Sequence, residues 1–98
     1  MRVVVTGGSG RAGSSIIPEL LEHGHEVVSV DTAAGDGSTP FMRADVTDYG
    51  QTLSVLHGAD WVIHMAAIPS PVSDPPEVVF STNVVSTWNV LQAAEVLG

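Results

Sequence analysis

Cysteine and lysine are both absent from this 98-residue chain, and aromatic side chains make up only 5% of it. Without cysteine there can be no disulfide, no thiolate nucleophile and no cysteine-bearing zinc site. Without lysine, all side-chain cationic charge rests on three arginines against eleven acidic residues, for a formal net charge of −8. A chain of that sign does not hold a phosphate polymer by counterion release, so no nucleic-acid partner is expected. Long apolar runs are missing too. None reaches the roughly eighteen residues of a membrane span, and the N-terminus does not show a charged region, an apolar segment and a cleavage site in series. The expectations are no membrane partner, no signal peptide and a cytoplasmic protein. His23 and His25 flank Gly24, but with no further ligand near in sequence no metal site is expected.

The composition that remains, 44% apolar and 14% charged, is that of a folded chain, and its length allows one small domain, here residues 1–98. The organising stretch is Val3 to Gly13, where three valines run into a cluster of four glycines and an apolar helical pattern follows. The order is strand, tight turn, helix N-terminus. Glycines let the backbone approach a pyrophosphate closely, and the unsatisfied N–H groups at the helix start attract its charge. Gly7, Gly10 and Gly13 fit T-G-x-x-G-x-x-G, while Gly8, Gly10 and Gly13 fit G-x-G-x-x-G. Asp31 closes a second apolar strand eighteen residues past Gly13, where a carboxylate would accept from a ribose hydroxyl. The competing reading, a glycine-rich hairpin, requires a strand where the sequence shows a helix.

Further along, Arg2–Thr6 and Glu26–Val30 read as buried strands, and a helix runs from about Arg11 to His23 with Pro18 inside it. Phe41–Ala44 is a third strand, reached by a short loop with Gly35, Asp36 and Gly37 at its tip. A helix to about His57 follows, capped by Thr47 or Asp48. Asp60–Ala66 is a fourth strand. A last helix runs to about Leu97, with Asp74 as its N-cap and Phe80, Val84, Thr87, Leu91 and Ala94 as its inward stripe. Trp61, Trp88 and His64 read as packing residues. This alternation implies an α/β fold, a Rossmann-type parallel sheet with helices on both faces and strand order 3-2-1-4, partial because the sheet stops at four strands. Ligands of such sheets bind where the order reverses, between strands one and four.

Four motifs together resemble the extended short-chain dehydrogenase/reductases, the NAD-dependent epimerase/dehydratase family. They are Thr6 to Gly13, Asp45-Val46, His64-Met65-Ala66-Ala67, and Asn83 with Thr87-Trp88-Asn89-Val90-Leu91. The resemblance makes the backbone around Gly7, Gly10, Arg11, Ala12 and Gly13 a pyrophosphate cradle and Asp31 the adenosine-ribose partner. It sets Asp45 and Val46 beside the adenine and Ala66 and Ala67 along the cofactor's ribose and nicotinamide side. Asn83 would stand at the active-site helix position as a supporting residue. Taken by itself, Asp45 could equally be a loop residue or helix cap. Arg11-Ala12 departs from the family's bulky apolar pair, and Ser86 stands where glycine is common. Arg11 is a candidate 2′-phosphate partner, but Asp31 would repel that phosphate, so NAD is expected over NADP.

The family's chemistry uses a Tyr-x-x-x-Lys pair, and the only tyrosine here, Tyr49, lies on the adenine side with no lysine anywhere. No catalytic residue is therefore assigned. The resemblance implies the cofactor-binding half of an enzyme acting on a sugar or sugar nucleotide, with the catalytic half outside these residues and no turnover by this chain alone. An unpaired fourth strand would also promote self-association. The alternative is a non-catalytic nucleotide-binding sensor or interaction module.

Overall fold

A computed structural model describes residues 1–33, 39–66 and 75–98, the side chains of Arg11 and Ala12 excepted. Its elements are β1 (Arg2–Thr6), α1 (Arg11–Glu22), β2 (Glu26–Asp31), β3 (Phe41–Arg43), α2 (Tyr49–Leu56), β4 (Trp61–His64) and α3 (Pro76–Leu97). The four strands form one sheet in the order β3-β2-β1-β4, every neighbouring pair parallel. Successive side chains of a strand point to opposite faces. Val3, Val5 and Val27 pack with Ile17 of α1 on one face, while Val4, Val28 and Val30 meet Val55, Leu56, Val90 and Ala93 of α2 and α3 on the other. Burial on both faces is why β1 and β2 carry nearly unbroken valine runs. The short link to β3 still delivers a parallel strand, with Ser29, Val30 and Asp31 in register with Phe41, Met42 and Arg43. The predicted tip of that link, residues 35–37, lies outside the described residues.

Helix α1 continues through Pro18, which faces solvent. It ends with His25 N–H donating to the Leu20 carbonyl and Gly24 N–H to Leu21, the paired bonds of a Schellman ending, with Gly24 at φ +83°. Asp48, the second of the two predicted candidates, caps α2 by accepting from Gln51 N–H at 3.1 Å. Strand β4 is shorter than its apolar run and ends at His64, with Met65 N–H making one last bond to the Thr6 carbonyl at 3.0 Å.

Helix α3 differs from expectation at both its start and its facing. Pro75 occupies the N-cap and Pro76 the first helical position. Asp74, the expected cap, lies outside the described residues. The expected inward stripe faces outward: Phe80 is 70% exposed and Leu91 67%, with Val84, Thr87 and Ala94 also exposed. The buried side is Ser86, Asn89, Val90 and Ala93. Small residues let the helix approach the sheet closely, and its two buried polar side chains have partners: Asn89 Nδ2 donates to the Val46 carbonyl at 2.9 Å, and the Ser86 hydroxyl shares its proton between the Ala66 carbonyl at 3.4 Å and the Asn83 carbonyl of its own helix at 3.3 Å. Trp61 and Trp88, expected in the packing, are likewise more than half exposed. Among the described residues, no helix is long and apolar enough to cross a membrane.

Candidate cofactor site

The turn leaving β1 is shaped by what its glycines lack. Gly7 has φ +69°, and a Cβ there would lie 2.7 Å from the Ala66 nitrogen and from the Met65 carbonyl carbon. Any side chain would push β4 off β1. A Cβ on Gly8 would run into the Ser29 hydroxyl, and one on Gly13 into the backbone of Gly7 and Gly8, so these two let α1 settle against the loop. Gly10 is different. It is exposed, has an extended backbone at φ −80°, and a Cβ there would meet only the Gly7 carbonyl oxygen, at 3.3 Å. Among the described residues, that one close approach is all that a Cβ there would meet.

Gly10 is also the N-cap of α1, and it provides no side-chain cap. The first intrahelical bond runs from Ser14 N–H to the Gly10 carbonyl at 2.9 Å. The backbone N–H groups of residues 11–13 precede that ladder and open toward the same end as the helix dipole.

Beside this end lies a cavity of ≈ 330 Å³ lined by Gly7, Gly10, Asp31, Asp45, Val46 and Ala66, with Val30, Thr32, Ala44, Thr47, Met65, Thr82 and Ser86. It sits at the C-terminal ends of the strands, at the reversal of strand order. Asp31 ties the glycine turn to β2, its Oδ2 accepting from Ser9 N–H at 3.1 Å and its Oδ1 from Thr32 N–H at 2.7 Å. Asp45 accepts from the Thr47 hydroxyl at 2.6 Å and from Thr47 N–H at 3.0 Å, and these bonds hold its carboxyl below the usual carboxylate range. The next carbonyl, of Val46, accepts from Asn89, and lies 3.2 Å from the Thr52 hydroxyl, whose one proton it shares with the Asp48 carbonyl at 2.9 Å.

Six predicted site residues thus meet at one cavity: Gly7, Gly10, Asp31, Asp45, Val46 and Ala66. Gly13 stands behind the loop as a packing glycine. Arg11 and Ala12 supply backbone at the helix start, while Ala67 lies outside the described residues. Asn83 is half-buried on α3 and does not line the cavity; its carbonyl accepts from the Ser86 and Thr87 hydroxyls. Sequence reasoning missed Thr82 and Ser86, because the helix was phased on its large apolar residues. The small-residue series Ser86, Asn89/Val90, Ala93 was the available signal. It also missed Arg43, the register partner of Asp31. Tyr49 opens α2 and rests at a tilt against Trp88, ring centroids 6.0 Å apart. No cluster of three or more His, Asp or Glu suited to a metal occurs among the described residues.

A parallel 3-2-1-4 sheet with a glycine turn and a cavity at its switch point defines a Rossmann-type domain. The family model described as "NAD dependent epimerase/dehydratase family" matches residues 3–98. A UDP-glucose 4-epimerase of Klebsiella pneumoniae is 31% identical over all of this chain and 83% of its own length. The chain belongs to the NAD-dependent epimerase/dehydratase family. A 3β-hydroxysteroid dehydrogenase/Δ5→4-isomerase of Mycobacterium tuberculosis is 32% identical across 99% of the chain, which spans 29% of that relative's length. Among solved structures, the NAD complex of Thermus thermophilus UDP-glucose 4-epimerase superimposes with a TM-score of 0.80 at 35% identity, covering 96% of this chain and 33% of that one.

Proposed function

We propose that residues 1–98 form the NAD-binding portion of an epimerase, dehydratase or dehydrogenase acting on a sugar or sugar nucleotide. The observation that carries this reading is Gly10, whose missing side chain would meet only the Gly7 carbonyl oxygen among the described residues and keeps the cavity wall open beside the bare start of α1. The residues present fit a dinucleotide. Backbone of Gly10 to Gly13 would hold the pyrophosphate through N–H groups and the helix dipole. The Asp31 carboxylate spends one lone pair of Oδ2 on Ser9 and retains another for a ribose hydroxyl. Asp45 and Val46 would flank the adenine, with Ala66 and Ala67 along the opposite ribose. Bound there, the nicotinamide supplies a hydride acceptor and donor.

Selectivity for NAD over NADP belongs to the same proposal. The charge of Asp31 opposes a 2′-phosphate, and Arg43 across the register from it is the countervailing cation. A single substitution tests this: Asp31→Ala should weaken NAD about tenfold and leave NADP unchanged or tighter, as read by titrating both cofactors. Equal losses for the two would remove Asp31 from this role.

Proton transfer is assigned to groups outside these residues. The chain has no lysine, Tyr49 packs on Trp88 away from the cavity lining, and general acid–base assistance is worth about 10²–10⁴-fold. By this reading residues 1–98 bind cofactor without useful turnover, in a cytoplasmic enzyme. They also self-associate, because β4 ends the sheet with an open edge beside exposed Trp61, Leu91 and Leu97.

A further inference from the structure

The peptide linking Met65 to Ala66 forms the cavity wall against Gly7, and it is held by a residue with no part in the cofactor contacts above. Thr6 ends β1 fully buried. Its hydroxyl oxygen lies 3.1 Å from Met65 N–H, 3.3 Å from Ala66 N–H and 2.7 Å from His64 Nδ1. A hydroxyl has two lone pairs and one proton. Both lone pairs face N–H donors, the Met65 N–H being shared with the Thr6 carbonyl at 3.0 Å, so the hydroxyl proton goes to His64 and Nδ1 is the acceptor. The neutral ring then carries its hydrogen on Nε2, 3.3 Å from Thr87 Oγ1, whose own proton goes to the Asn83 carbonyl at 2.8 Å. The two backbone donors dictate every direction in this chain.

We propose that His64 is a positioning residue: as the Nε2–H tautomer it draws the Thr6 hydroxyl proton to itself and thereby keeps the Thr6 lone pairs turned to the N–H groups of Met65 and Ala66, the latter part of the cavity-wall peptide. A second proton on the ring, at Nδ1, would reverse the first bond. Thr6 would then have to accept from His64, leaving one lone pair for two N–H groups; Met65 N–H would keep the Thr6 carbonyl at 3.0 Å, so the bond at stake is that of Ala66 N–H. Burial alone already pushes the His64 pKa down, toward the neutral ring that this arrangement needs. Ionisable groups on the surrounding elements lie elsewhere. Arg2 of β1 and Asp60 meet at the far end of the sheet, His57 follows α2, and Glu77 and Glu95 stand about 15 and 12 Å along α3 from Thr87. None of them bonds to the His64 ring among the described residues.

Nitrogen-15 NMR of the protein without cofactor tests the claim. Neutral His64 should show its hydrogen on Nε2, and the amide signals of Met65 and Ala66 should move with the same midpoint as the ring on acidification. His64→Asn, whose amide oxygen can replace Nδ1 as acceptor, should keep those amides near their original positions and abolish their titration. An Nδ1–H tautomer, or amides that ignore the ring, overturns the proposal. A further arm rests on the cofactor reading: His64→Phe should bind NAD about fivefold more weakly, the loss of one hydrogen bond, with His64→Asn near the original affinity. Unaltered affinity in a folded His64→Phe protein counts against positioning. If the unsubstituted protein takes up no NAD while amides and ring titrate together, the cofactor reading fails and the hold of His64 on the peptide stands.

Discussion

Two loops face each other across the cavity and are held by opposite means. Residues 7–10, between β1 and α1, keep their place because Gly7, Gly8 and Gly13 have no side chains and backbone lies directly on backbone. Residues 44–48, between β3 and α2, keep theirs through added polar side chains: Thr47 on Asp45, and Thr52 and Asn89 on the Val46 carbonyl. The first loop tolerates no added atom where it packs, whereas the second tolerates the loss of one bond at a time. Gly10 is the exception within the first loop, since among the described residues a Cβ there would meet only the Gly7 carbonyl oxygen.

The sharpest way to break this comparison is Gly13→Ala. One methyl would enter the backbone of residues 7 and 8, and overpacking without a flexible neighbour should cost about 3 kcal/mol of stability, read by denaturant unfolding. A loss under about 1 kcal/mol would mean that the loop adapts and is not a backbone-on-backbone contact. Gly10→Val should separate ligand from fold. NAD affinity is expected to fall at least about a hundredfold with the melting temperature nearly unchanged, so calorimetry and thermal unfolding belong on one sample. Unchanged affinity in the folded variant would make the loop merely structural.

Asn89→Ala probes the opposite loop and should cost about 2 kcal/mol, since it removes one of two donors to a buried carbonyl and leaves a small void. The Thr52 hydroxyl, shared with the Asp48 carbonyl, still reaches that oxygen, so the protein should remain folded. Asp45 gives the smallest effect, being largely exposed. Its folded-state pKa is lowered by the two Thr47 bonds, so the unfolded chain binds the proton more readily. The stabilisation is full above the unfolded carboxylate value and disappears as the pH falls through the folded one. Asp45→Asn should flatten that acid limb slightly in a pH series of unfolding curves. Identical acid limbs would show that the turn does not depend on the charge.

What was legible in the sequence follows from which forces act locally. The valine runs of β1 and β2 announce a sheet covered on both faces, and the glycine spacing announces a turn that a helix follows. Both survive in the structure with boundaries shifted by a residue or two. Helix α3 was misphased because amphipathic reading assumes that large apolar residues face inward. Here Asn89 and Ser86 are buried instead, and nothing within residues 76–97 reveals that the Val46 carbonyl will meet Asn89 or that the Ala66 carbonyl will lie beside Ser86.

By itself, then, the sequence determined the element order, the parallel 3-2-1-4 topology and the places of Gly7, Gly10 and Asp31 at strand ends, because backbone freedom, hydrophobic periodicity and crossover handedness are short-range or generic constraints; Asp45 came from the family resemblance. Only the tertiary structure decided which side of α3 meets the sheet, which glycines serve packing and which leaves the cavity open, and how Thr6, His64 and Thr87 share their protons. Those outcomes depend on hydrogen-bond partners and steric neighbours up to about sixty residues apart in the chain, and such distances close only when the sheet forms.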